Sequence, residues 1–507
     1  MSAIRPAAPE AEGDGGRPSP PLARTLADWT AGLRHEDIPG RVLEVATSQV
    51  VSHIATIRAS AGHPMGRKLI SAFGPLSAGD PHRGAYLLAA LSSCLYYEDT
   101  LYAGHVSHAA VGVPLAHQEA QRLDGRRMLT AVTAANECAS RVTAAATLGP
   151  FRGQWAGHTH IVASAAARLH GAGADAGTLL NAWGVALAAP PRSLRPAALG
   201  SNAKVLSAAG PVRTALDACD AALAGITGRD DLLEHPDGLL AGFAGAPIPE
   251  AVVAALGRRW HTETISFKVL PVGVHLDAPV ECAAELHRRL RPSGPQDIAS
   301  VDVHAPQTTM VMSRHAERYL EAGDSALPAL NMSAGYNVAT ALLTGGLTVA
   351  DLAPPFVHDP RRWELAYRVE LHYDEELSRE VMKATAPVGE ALRQAGKRAL
   401  DWVTELPGVP MEELIAELGP PSETFEHATK KLGCRVVVRM RDGREESCEL
   451  DAGTGAVGSP SWSAHAELAR HKLIGTGVDE ETARILGRLG ELSADELTDV
   501  LRGVLSL

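Results

Sequence analysis

HTETISFKVLPVG (residues 261–273) divides the chain into two kinds of text. Before it, from about residue 25 to 265, apolar residues recur at helical spacing. In HEDIPGRVLEVATSQVVSHIATIRAS (35–60), Pro39 can open a helix, and Val42, Val45, Ala46, Val50 and Ile54 fall near one face. GAYLLAALSSCLYYED (84–99) and RMLTAVTAANECASRVTAAATL (127–148) continue in the same style, rich in Ala and other small residues that let helices approach closely. After it, IASVDVHAPQ (298–307), ELAYRVELHYD (364–374), CRVVVRM (434–440) and ESCELDA (446–452) read as strands. Asp442-Gly443 between the last two is a hairpin signal. PVECAAELHRRL and SAGYNVATALLTGG are helices among them, so this part is α+β. From about residue 460 the text is helical again.

The reading is therefore a mostly α protein: a large all-helical domain formed by residues 25–265 and 457–507, and a smaller α+β domain over 266–456. A polar, helix-prone stretch at about 377–430 looks like an insertion into the latter. It is expected to affect motion or assembly rather than to supply catalytic groups. Residues 1–24, biased to Pro, Gly and Ala, are expected to be a disordered tail.

A length of 507 residues suits two domains. The net charge of −12 argues against a nucleic-acid surface and favours a small-molecule role. Six cysteines without CxxC spacing suggest reduced thiols. No signal peptide and no apolar run of about 18 residues is legible, so the expectation is a cytoplasmic protein without a membrane span. Only eight of the 47 basic residues are lysines, which makes each Lys informative, because Lys loses its proton readily when desolvated.

Five patches set unusual polarity against apolar flanks: EDTLYAGHVSH (98–108), WAGHTHIVASAAA (155–167), GSNAKVLSAAG (200–210), SFKVLPVGVHLDA (266–278) and NMSAGYNVATALL (331–343). Asp99 or Thr100 alone would serve as helix or turn caps. Histidines titrate near working pH and suit proton transfer, and buried lysines suit anion binding. No HxxxH or HExxH spacing places two metal ligands on one helical face, so no metal site is expected.

In their order and flanks these patches resemble the MmgE/PrpD family. The likeness rests on Asp99-Thr100, His108 with Pro114, His158, Gly200-Ser201 with Lys204, Phe267-Lys268 with Pro271 and His275, and Ser333 with Tyr336. It covers about 25–375 and 434–475. The resemblance implies a helical domain carrying a smaller α+β lid, with the active site between them. It implies a homodimer that needs no cofactor and acts on small carboxylated metabolites through a carbanion or enolate. The implied reaction is a lyase step, dehydration or decarboxylation, with isomerisation, epimerisation, cyclisation or a silent carboxylate-binding dimer as alternatives. The catalytic candidates are His108, His158, Lys204, Lys268 and Tyr336, with His105 as an alternative to His108 and His160 to His158. Tyr96, Asp99, Thr100, His105 and His275 are the substrate-binding candidates, and Lys204 and Lys268 are expected to converge on one pocket. Tyr96 stands where the family's acid-rich stretch begins with Asp. A phenol is a poor base at neutral pH, so proton transfer should fall to His108 or His158, and the pocket should suit a less charged or bulkier substrate.

Overall fold

The computed structural model describes residues 20–76, 79–102, 104–150, 152–405 and 411–506. Most of the expected N-terminal tail lies outside the described residues. Its last three residues do not belong to it, because the helix Leu22–Gly32 begins there and buries Ala23, Leu26 and Ala27.

Two helices organise the helical domain. Gly40–Gly62 starts behind Pro39, as its sequence predicts, and buries Val42, Val45, Ala46, Val50 and Ile54. Gly125–Ala146 is capped by Asp124, whose carboxylate accepts from Arg127 N at 2.8 Å, and is buried on every side from Met128 onward. Its small residues bring the helix Gly157–Gly171 close enough for Thr143 Oγ1 and Thr159 Oγ1 to hydrogen bond at 2.7 Å. At its start Gly125 is obligatory, since a Cβ there would fall 1.7 Å from the Leu489 carbonyl oxygen of the C-terminal segment. That segment also returns the helix His465–Ile474 against Gly40–Gly62. No helix among the described residues is long and apolar enough to cross a membrane.

Within this buried helix Glu137 carries a charge that ties the bundle to the start of the segment 261–273. Its carboxylate accepts from His261 N (3.0 Å), Thr262 N (2.9 Å) and Thr262 Oγ1 (2.9 Å), with Arg141 Nε at 3.6 Å. These bonds fix the turn that launches the stretch carrying Lys268. Replacing Glu137 with Ala leaves Arg141 buried without its charge partner, so the expected loss is about 3–5 kcal/mol of unfolding free energy. Urea denaturation measures it, and a change below about 1 kcal/mol would remove Glu137 from this anchoring role.

The α+β part contains a four-stranded sheet in the order β4-β3-β5-β6, with β3 Ile298–Ala305, β4 Val369–Tyr373, β5 Cys434–Met440 and β6 Glu445–Leu450. β3 and β4 are parallel (Val301 beside Val369), and β3/β5 and β5/β6 are antiparallel (Val303 beside Val436, Val436 beside Cys448). Alternate residues Val301, Val303, Ala305, Val436, Val438 and Met440 point to one face and bury against the helices Asp277–Leu290 and Ala334–Thr344. Gly443, at φ +92°, makes the expected hairpin turn.

Two expectations need correction. The strand read at 364–374 is confined to Val369–Tyr373, because Asp359 caps a helix Pro360–Ala366 by accepting from Arg361 N. The described part of the stretch at 377–430 is mainly helical as far as Glu417, but it does not extend the sheet's core. Met382, Leu392, Trp402, Leu414 and Phe425 pack into the large helical core, where their amphipathic faces find apolar partners.

Candidate active site

A further, very small sheet sets up the site. β1 (Thr100–Leu101) pairs antiparallel with β2 (Ile265–Ser266), Thr100 beside Ser266. This zips the acid-rich loop to the segment 261–273, and the backbone N–H of Lys268 donates to Asp99 Oδ1 at 3.0 Å. Asp99 Oδ1 also accepts from Ser52 Oγ at 3.0 Å and lies 3.8 Å from Lys472 Nζ. Asp99 thus anchors the loop from behind.

The loop's entry is strained. Tyr96 has φ +53°, a left-handed conformation rare for a bulky residue. Both predicted lysines meet at this residue. The Lys268 ammonium donates to the Tyr96 and Val272 carbonyl oxygens. Lys204 Nζ lies 3.6 Å above the Tyr96 ring and donates to Ser93 O at 2.6 Å. Burial pushes Lys204 down to about 8, against the opposing pull of Glu98. Lys430 donates to Thr100 Oγ1 at 2.6 Å and is likewise held by burial at about 8.

His105 and Glu98 form a buried imidazole–carboxylate pair. His105 Nδ1 lies 2.8 Å from Glu98 Oε1, which is also 3.4 Å from His108 Nε2, and His108 Nδ1 is 2.8 Å from Ser92 Oγ. Burial would raise the Glu98 carboxyl, but His108, Lys204 and His105 together hold it well below the usual carboxylate range. Burial lowers His105 to about 4, with Glu98 opposing, so its ring is neutral at pH 7. With Nδ1 turned to the carboxylate, Nε2 is the ring nitrogen left for the cavity.

The cavity has a volume of about 530 Å³. Tyr96, Thr100, His105, Lys204, His275 and Lys430 lie on its wall. The insertion, expected to stay out of the site, contributes to its wall through Met382, Val388, Trp402 and Lys430. The donor atoms of Glu98, His105 and His108 lie within 4.8 Å of one another, a donor set that fits a transition metal by type. Against that use, the Lys204 ammonium acts on the same carboxylate and competes with a cation for it. The second such group, Asp302, Glu370 and His372, lies on the outer side of the sheet, and Asp302 there is already paired with Arg439 and His372.

The model of the MmgE/PrpD N-terminal domain matches residues 24–251, and that of the MmgE/PrpD C-terminal domain matches residues 270–414. The chain belongs to the MmgE/PrpD family. That family includes lyases such as dehydratases, and membership supports an enzyme at that coarse level. Comparison with curated proteins finds no match.

On the MmgE/PrpD frame, the predicted site residues separate into three groups. Tyr96, Thr100, His105, Lys204 and His275 line the cavity. Asp99, His108 and Lys268 stand directly behind it and hold those residues in place. His158 and Tyr336 do neither. His158 is enclosed, its ring edge-on to Phe243 with centroids 5.4 Å apart, and the histidine that approaches His108 is His160, at 5.4 Å. Tyr336 donates to the Asp351 carbonyl at 2.6 Å and packs on Trp363, which fixes its helix. Lys430 and Trp402 are site residues that the sequence reading misses, whereas Glu98 belongs to the acid-rich patch it singles out. The scarcity of lysine in the sequence is the signal that would have marked Lys430, and with it Lys472.

Proposed function

We propose that the protein is a lyase that acts on a carboxylated metabolite by removing a proton next to a carboxylate. His105 Nε2 takes the proton while Glu98 holds Nδ1 and stabilises the imidazolium that forms. The electron pair moves into the carboxylate, giving an enolate whose charge falls to Lys204. Its return expels a substituent on the neighbouring carbon, as water when that substituent is a hydroxyl. Lys430, near 8 and joined to Thr100 at the wall, is the proton donor for the departing group.

The carrying observation is the 2.8 Å contact of His105 with a buried, ionised Glu98 at the cavity wall. A bound carboxylate adds negative charge beside His105 and raises its basicity toward the working pH. The test traces solvent deuterium into candidate carboxylates by NMR with the intact protein. Incorporation next to the carboxylate, lost in His105→Gln, is expected. Turnover or elimination without exchange in the His105-dependent position would sink this assignment.

A further inference from the structure

The floor of the cavity is built for an anion, but most of its wall is not. Lys204 and Lys430 are the lysines that line it; Lys268 and Lys472 direct their ammonium groups into backbone carbonyls behind it. Two ammonium groups suit one or two carboxylates. The rest of the wall is formed largely by Trp155, Trp402, Met312, Met332, Met382 and Val388, with the guanidinium groups of Arg195 and Arg152 over the two tryptophans. Tyr96 continues this surface: its side chain belongs to an apolar cluster with Leu199, Ala316 and Met332, against which Trp155 and Met312 pack. A volume of about 530 Å³ lies in the range of roughly 300–1,000 Å³ that encloses drug-sized ligands. A compact polycarboxylate would leave the methionine and tryptophan wall facing water.

We infer that the substrate is an amphiphilic acid, with one or two carboxylates on the lysine floor and a bulky aromatic or branched apolar substituent against the Trp402 and Met312 wall. This inference rests on the lyase reading of the floor and adds the substrate class. Methionine suits such a wall, since its unbranched thioether adapts to irregular apolar shapes and packs well on rings. Trp402 presents its ring to the cavity, since its Nε1 is enclosed and has no hydrogen-bond partner among the described residues. Arg152 lies over the same ring at 5.1 Å and completes that corner of the cavity.

Titration calorimetry on the full chain tests this with four probes: succinate, 2-benzylsuccinate, cis-aconitate and 2-methylcitrate. The benzyl compound should bind at least about tenfold more tightly than succinate and than either tricarboxylate. Trp402→Ala should reduce that advantage to about threefold or less while leaving the succinate Kd unchanged. Where Trp402→Ala does not fold, Met312→Ser on the same wall carries the comparison. A tricarboxylate that binds most tightly, no binding of the benzyl compound at about 1 mM, or an advantage unaltered in a folded wall variant would overturn the inference. The two readings fail separately. Tight benzylsuccinate binding without solvent exchange in any probe removes the lyase and leaves the amphiphilic pocket. Exchange confined to the tricarboxylates removes the pocket class and leaves the lyase.

Discussion

Replacing His105 with Gln lowers kcat/KM by about 10²–10⁴-fold, the range that general acid–base groups contribute, with little change in melting temperature. The size reflects the group removed. Gln can still fill the wall and hydrogen bond to Glu98, but it has no lone-pair nitrogen basic enough to accept a proton from carbon. The matched control is His158→Gln, expected within about threefold of the unaltered protein, because that ring faces Phe243 and lines no part of the cavity. The reverse pattern, with His158 essential and His105 dispensable, would remove the Glu98–His105 pair from the mechanism. Steady-state kinetics on any substrate that exchanges solvent deuterium decides between them.

This pair also marks where sequence reading stops. Helical periodicity around Val42 to Ile54, strand alternation around Val436 to Met440 and the Asp442-Gly443 turn are local signals, and the fold obeys them. Three of the five polar patches bring polar residues to the cavity (Thr100 and His105, Lys204 and Ser207, His275), whereas those at 155–167 and 331–343 reach it through Trp155 and Met332. Which histidine of a patch faces the cavity depends on rotation about a helix start or a loop, and that is set by partners far away in sequence. His105 is turned by Glu98 within its own loop, whereas His158 is turned away by Phe243, 85 positions further on. The β1–β2 pair that aligns the loop with Lys268 has two residues per strand, too few for any alternation to show. Lys430 looks solvated because Thr429, Lys431 and the acidic run before them are polar. Burial of its side chain against Thr100 depends on a fold that brings together positions 330 apart.

Replacing Lys204 with Met should cost about 10²–10³-fold in kcat/KM at pH 7, as the loss of one charged stabiliser of a developing anion does. The more telling result is in the pH profile. Lys204 must be protonated to stabilise an enolate and Lys430 to protonate the departing group, and burial holds both at about 8, so kcat/KM should fall toward about a hundredfold per pH unit above that value. Lys204→Arg keeps its charge at every accessible pH, so its remaining activity should keep only the tenfold limb of Lys430. Unfolding does not mimic the effect, as the sign of the linkage shows. The folded-state values of Lys204, Lys430 and Lys472 lie near 8, below the ordinary 10.5, so above pH 8 the unfolded chain binds more protons than the folded one. These groups therefore add stability as pH rises. Buried thiols such as Cys94, pushed up to about 12 from an ordinary 9.0, oppose the trend only once pH exceeds about 9. Between pH 8 and 9 the melting temperature should hold or rise while kcat/KM declines. A limb of unchanged steepness in Lys204→Arg removes Lys204 from the titration, and a melting temperature that falls in step with activity attributes the loss to unfolding.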